Sequence, residues 1–179
     1  MKQTKHLIYM SLLVAMALAL HLVERNLPVP FMTPGAKLGL ANLVTVIALY
    51  TLDKKQNVIK IITARVVLSA IFGGSVPGLM YGSMGALLSF IIMVVIKEGL
   101  KDKVSIIGVS AAGAVFHNIG QLLVASFIVK NIGVMLYLPF LSIAGIVTGI
   151  FVGMAANYSV GHMYSLPFFK EMIAKEERG

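Results

Sequence analysis

The chain has 179 residues, of which 58% are hydrophobic and only 12% charged, with no Cys, no Trp and a formal net charge of +8. A water-soluble domain of this size spends about a quarter of its residues on charge, so a soluble fold is excluded. The lack of cysteine removes disulfides, thiolate metal sites and cysteine nucleophiles together.

Six apolar segments lie between clumps of charge: Leu7 to Val23, Leu38 to Leu52, Val58 to Phe72, Leu79 to Ile96, Val104 to Val129, and Leu138 to Tyr158. In hydrocarbon every backbone donor and acceptor needs an internal partner, which leaves helix bundles and closed barrels. These runs are too long and too little alternating for barrel strands. The second and third are short for a span, and the third contains Lys60 and Arg65. They are read as helices because short, polar-bearing spans occur where a helix lines a cavity rather than lipid. Lys2 and Lys5 before the first run, with Ala17-Leu18-Ala19 in it, resemble a secretory signal, but the apolar run continues through His21 and Leu22. The predicted fold is all-α: a polytopic bundle of six transmembrane helices over residues 1–165, followed by a cytoplasmic carboxyl tail, 166–179.

The links between segments add detail. Asn26 to Ala36 holds three prolines in eleven residues, which forbids a regular helix and predicts a fixed, extended outer loop able to cap a cavity. Gly73 to Gly78 is an uncharged outer turn, and Lys170 to Gly179 a short polar surface helix. With the amino terminus inside, eleven basic residues, Lys2, Lys5, Lys54, Lys55, Lys60, Lys97, Lys101, Lys103, Lys170, Lys175 and Arg178, fall on the inner side. Only Arg25, Lys37 and Lys130 fall outside. That bias places both termini of a multi-pass chain in the cytoplasm. It also explains the net charge without nucleic acid, for which no aromatic-rich basic face exists.

Polar residues at membrane depth are costly, so each is a candidate for function. Arg65 is the most expensive, at about 2.5 to 3.5 kcal/mol for a cation at the centre of a helix. It sits away from either end of its segment, and no Asp or Glu lies inside any apolar run. Its counter-ion is then a helix C-terminus, an interfacial carboxylate such as Glu24, or a ligand. His117 and Gln121 are four apart and share a helix face, with Asn118 flanking them. Gly113 and Gly120 nearby would admit another backbone or a flat ligand. The bland alternative is that these groups hydrogen-bond neighbouring helices. Lys37 stands at the outer start of the second segment, and Asn42 about 8 Å further along it at 1.5 Å per residue. Lys37, Asn42, Arg65, His117, Asn118 and Gln121 are the expected substrate-binding residues, and their positive charge suits an anionic small molecule.

Enzyme chemistry is not expected. Both aspartates, Asp53 and Asp102, lie on inner turns, so no Asp-rich magnesium-diphosphate site can form. There is no Walker A sequence and no Ser-His-Asp grouping with an embedded acid. The four histidines are scattered without ligand spacing, so no metal and no cofactor is implied.

Pro34-Gly-Ala-Lys-Leu-Gly-Leu-Ala-Asn42, with Arg65, Gly73-Gly74 and His117-Asn118-Ile119-Gly120-Gln121 downstream, resembles the bacterial Gx transporter family, long labelled heptaprenyl diphosphate synthase component I. The likeness spans about residues 5 to 160. That family in turn is similar to the substrate-binding S components of energy-coupling-factor transporters, which have six helices and both termini inside. The resemblance implies docking on a transmembrane coupling protein, with its ATPase, through small residues of the first helix, here Ala15 and Ala19. It implies an integral membrane protein that binds a prenyl diphosphate, a quinone precursor or a flavin from the outer side. The alternative it leaves is a non-catalytic subunit of a prenyl-quinone synthesis system or of flavin- and quinone-dependent extracellular electron transfer. No Ser/Thr-Gly-Ala-Thr flavinylation sequence is present.

Overall fold

The first helix has its polarity arranged around its axis. Tyr9, Leu13, Ala17, His21 and Glu24, spaced by three or four, are buried, while Leu7, Ile8, Leu12 and Val23 on the other side are exposed. This periodicity fixes one face of α1 (Lys2–Arg25) against the rest of the chain. The computed structural model describes residues 2–26, 39–72, 76–167 and 169. After α1 it contains α2 (Asn42–Thr51), α3 (Lys55–Ile71), α4 (Val76–Leu100), α5 (Ile106–Val129) and α6 (Leu138–Ser165). Short 3-10 turns at Lys101–Lys103 and Ile132–Tyr137 complete it, and no strand occurs among the described residues. The proline-rich stretch 27–36, Lys37, Gly73-Gly74 and the tail 170–179 lie outside the described residues.

Four helical stretches, Thr4–Glu24, Val76–Lys103, Ile106–Val129 and Ile132–Ser165, are long and apolar enough to cross a membrane. Their outward faces carry large apolar side chains, such as Phe127, Phe140 and Phe151, exposed in the isolated chain, as expected of surfaces that meet lipid. The protein is therefore membrane-embedded and all-helical. α2 has only ten residues, and α3 carries Lys55, Lys60 and Arg65 within seventeen. Neither meets the length of an ordinary span, in keeping with their short apolar runs.

α2 is the axis of the bundle. It is apolar on every side, eight of its ten residues are buried, and it touches α1, α3, α4, α5 and α6. A helix apolar all round belongs in an interior. The surrounding helices follow one another as α1, α3, α4, α5 and α6, with contacts between each successive pair. Between α1 and α6 the ring is closed by Tyr9, whose hydroxyl bonds Thr51 Oγ1 at 2.7 Å and reaches Met163 Sδ at 3.9 Å. Phe169 is buried beyond the end of α6, edge-on to both Tyr9 and Tyr164 with ring centres 5.6 Å apart in each case.

Lipid tails supply no hydrophobic drive between helices, so close backbone approach carries the association. α6 presents Gly145, Gly149 and Gly153 to α5. A Cβ on Gly149 would stand 2.6 Å from Ala111 Cα, and one on Gly153 2.6 Å from Ile107 Cα. On the other side of α5, Gly120 lies against the backbone of α4 at Met84 and Gly85. Gly120 thus admits a helix, and Gly113 admits the Met93 side chain.

One end of the bundle gathers the lysines. Lys55 pairs with Glu98 there, and α2 terminates there. From that end, ten residues at 1.5 Å each carry α2 about 15 Å, half of the ~30 Å hydrocarbon thickness. Its first residue therefore lies half a span's length from the lysine-rich end. The helix expected to begin at Leu38 begins instead at Asn42, and Asn42 is its first residue rather than one a turn inside it. The reason is local: Gly39 has φ +86°, a left-handed conformation that no helix propagates and that glycine alone adopts without cost.

Candidate functional site

The turn that starts α2 sits inside the bundle. Asn42 N–H donates to Gly39 O at 2.8 Å and Leu43 N–H to Leu40 O at 3.0 Å, which tightens the chain after the left-handed glycine. The carboxylate of Glu24, buried near the end of α1, accepts from the N–H of Gly39 and from Leu40 N at 3.3 Å. The last turn of α1 and the first of α2 are thereby joined by a charged acceptor on backbone donors.

The His117 ring fills the space beside Gly39. A Cβ on Gly39 would lie 3.6 Å from His117 Cδ2, and one on Gly85 of α4 only 2.8 Å from His117 Cε1. The imidazole occupies a slot that the missing side chain of Gly85 leaves open, and at Gly39 a Cβ would be in ordinary contact with the ring. Gln121, one turn along α5, meets it at 3.0 Å between Nε2 atoms. Asn42 donates through Nδ2 to Ser89 Oγ on α4 at 2.9 Å, while its buried Oδ1 has no hydrogen-bond partner.

Arg65 approaches from α3. It continues the buried stripe of Val58 and Ile61, so its side chain turns into the bundle and is only 6% exposed. Its Nε has no hydrogen-bond partner, and it interacts electrostatically with Glu24. Among the described residues these two are the charged side chains that are buried. Five helices thus bring Glu24, Asn42, Arg65, Gly85, Ser89, His117 and Gln121 into one cluster around the amino end of α2.

Not every expected residue joins it. Asn118 is turned about 100° from His117 on the helix, and its Nδ2 donates to Leu141 O of α6 at 2.7 Å beside Gly145. Its buried Oδ1 has no hydrogen-bond partner. Lys37 lies outside the described residues. Ala15 and Ala19 are exposed on the outer face of α1, opposite the stripe that packs inward. Glu24 stands where an interfacial counter-ion for Arg65 was sought. Gly39, Gly85 and Ser89 were not anticipated. The Gly39 conformation has no signature in an apolar run, and a serine in such a run reads as bonded to its own helix.

The remaining acids are elsewhere. Asp53 and Asp102 are both exposed at the lysine-rich end, and the described residues hold no group of three or more His, Cys, Asp or Glu able to bind a metal ion.

The sequence model of the family described as heptaprenyl diphosphate synthase component I matches residues 13–159. The chain belongs to this family. No curated protein and no solved structure matches it. The stretch that makes it a component I protein runs from the buried stripe of α1 into the last turns of α6, and every residue of the cluster at the start of α2 lies within it.

Proposed function

We propose that this component I protein is a non-enzymatic binding protein for a small anionic or amphipathic molecule, of the kind of a prenyl diphosphate, a quinone precursor or a flavin. In this reading the molecule is taken up from the outer side of the bacterial cytoplasmic membrane. The observation that carries the reading is Arg65, a cation enclosed within the bundle with Nε unpartnered, beside the amino end of a half-length helix. Such an end is the positive pole of the helix dipole, and half-helices of this kind hold anionic substrates in transporters. An anion paired with a planar guanidinium away from water gains far more than one at a wet surface. Asn42, His117 and Gln121 supply hydrogen-bonding groups around it, Asn118 Oδ1 adds one toward α6, and Lys37 is taken as a further cation for the ligand.

The same reading makes all six helices membrane-resident, with the lysine-rich end and both termini in the cytoplasm. A single cysteine at Lys101 should then resist an impermeant thiol reagent in intact cells while one at Thr33 reacts; the reverse pattern overturns it. The exposed Ala15 and Ala19 are the docking face for a transmembrane coupling protein and its ATPase. Replacing both with Leu should lower co-purification with that protein while ligand retention persists, and unchanged association removes α1 as the docking face.

A second reading, a non-catalytic membrane subunit of prenyl-quinone synthesis or of an electron-transfer system, is favoured by the family's description as a synthase component. Native mass spectrometry of the purified protein separates the two. Binding predicts a retained small molecule that is lost from Arg65→Ala. A protein that carries nothing and comes down with a prenyltransferase chain is the subunit.

A further inference from the structure

We infer that Tyr81 of α4 is a further ligand-binding residue, whose hydroxyl donates to the anionic group of the molecule held beside Arg65. The inference rests on the binding reading above and adds to it a residue that neither the motifs nor the charges single out. Tyr81, Gly85, Ser89 and Met93 recur every four residues along α4 and are all buried, so they form one stripe of that helix. Three of the four have an occupant. Met93 Cγ and Sδ stand 2.7 Å from where a Cβ on Gly113 would be, Ser89 Oγ accepts from Asn42, and Gly85 takes the His117 ring. These contacts also fix how α4 and α5 run past each other. Ser89 is opposite Gly113, its Oγ 3.1 Å from the place of a Cβ there, and Gly85 is opposite His117. Four residues back along α4 therefore correspond to four residues on along α5, and the next step sets Tyr81 level with Gln121, the residue that meets His117 at 3.0 Å. Tyr81 stands about 6 Å along α4 from Gly85, on the stripe that faces the cluster and on the side away from the lysine-rich end.

A tyrosine near the end of a membrane helix ordinarily belongs to the aromatic belt, with its ring toward lipid and its hydroxyl among the headgroups. Tyr81 does not fit that role, because it is only 8% exposed while Met80 beside it is 37% exposed. A buried tyrosine hydroxyl usually finds a hydrogen-bond partner, as that of Tyr9 does on Thr51. Among the described residues no hydrogen bond reaches the hydroxyl of Tyr81. Ser89 and Met93, deeper on the same stripe, are wholly covered, so the remaining exposure of Tyr81 marks where the stripe meets open space. The phenol can donate one hydrogen bond. Beside a guanidinium, the group that calls for that donor is an oxyanion, whose several oxygens accept more bonds than Arg65 alone supplies. The ring beneath the hydroxyl offers the apolar part of the same molecule a surface to lie on.

The test is isothermal titration of the full-length protein in detergent with farnesyl diphosphate, for wild type and Tyr81→Phe, together with the melting temperature of each protein without ligand. Tyr81→Phe keeps the ring and removes only the hydroxyl. Farnesyl diphosphate suits the question because its hydrocarbon chain accepts no hydrogen bond, so a hydroxyl that contributes must reach the diphosphate. The variant should bind about tenfold or more weakly, the usual loss when a hydrogen bond to a charged group is removed. Its ligand-free melting temperature should equal that of the wild type, because the hydroxyl has no partner to lose until the ligand arrives. Wild-type affinity in folded Tyr81→Phe overturns the inference while leaving the binding reading intact. A lower ligand-free melting temperature, or a variant that does not purify as a monodisperse protein, also overturns it, since either shows the hydroxyl bonded within the protein itself. Absence of binding by the wild type overturns the prenyl diphosphate form of the binding reading and the inference with it.

Discussion

The two ends of α2 are built differently. At its carboxyl end four successive carbonyls each have a partner. Ile47 O accepts from Thr51 Oγ1 at 2.8 Å, Ala48 O from Leu52 N at 3.0 Å, Leu49 O from Lys97 Nζ at 2.6 Å and Tyr50 O from the Tyr164 hydroxyl at 2.6 Å. Lys97 also lies 4.5 Å from the centre of the Tyr50 ring. At the amino end, Asn42 Oδ1 and Arg65 Nε are buried without hydrogen-bond partners, and a carboxylate occupies the backbone donors. Orphaned buried polar atoms are rare in folded proteins because each costs about 1–3 kcal/mol. Asn118 Oδ1 and Ser110 Oγ are also buried without partners, on the face of α5 toward α6, but of the two ends of α2 it is the amino end that has such atoms beside it and so keeps binding capacity in reserve. The other end is an anchor that holds the helix, and so its positive pole, in place.

The difference can be broken at the scaffold, at the anchor, at the site and at the surface, in falling order of effect on stability. Gly149→Val should be the most damaging, because its Cβ would meet Ala111 Cα at 2.6 Å and overpacking of this kind costs about 1–3 kcal/mol. Thermal unfolding should move down by roughly 5 °C or more, with both ends of α2 disturbed. If the melting temperature is unchanged, the α5–α6 contact is looser than described. Lys97→Met together with Tyr164→Phe uncaps the anchor, and should lower stability by about 1–2 kcal/mol while prenyl diphosphate affinity changes less than threefold. A large loss of affinity with unchanged melting would reverse the roles assigned to the two ends. Asn42→Ala should show the opposite split, about tenfold weaker binding with little thermal change, a difference of about 1.4 kcal/mol. Lys55→Ala removes the pair with Glu98, whose side chains are 50% and 53% exposed. It should do least, within about 0.5 kcal/mol by chemical or thermal unfolding.

The sequence was informative where chemistry is expensive and silent where geometry is cheap. Arg65 stood out because a cation in an apolar run has few reasons to be there, and its burial follows from its place three and four residues along the Val58–Ile61 stripe. The pairing of His117 with Gln121 followed from the helical repeat alone. Asn118 could not be aimed in the same way: a residue adjacent in sequence sits about 100° around the helix, and which neighbour lies there depends on tertiary arrangement. The expected start of α2 at Leu38 lies four residues early because the stretch Leu38 to Leu49 carries no charge to mark a boundary, and nothing in it records the φ of Gly39. The Tyr9–Thr51 bond joins residues 42 apart, and the anchor as a whole is assembled from α1, α4 and α6, the last two remote from α2 in sequence.

The central claim, that a small anion binds at the amino end of α2 through Arg65, is tested most directly by the thermal stability of the purified protein with and without farnesyl diphosphate, in wild type, Arg65→Ala and Arg65→Lys. A ligand that binds only the folded state stabilises it by mass action, by about 2.7 kcal/mol at a hundred times the dissociation constant. The account predicts a clear ligand-induced rise for the wild type, none for Arg65→Ala, and little for Arg65→Lys, since an ammonium cannot reproduce the bidentate geometry of a guanidinium. A ligand-induced rise of wild-type size in a folded Arg65→Ala protein would contradict it.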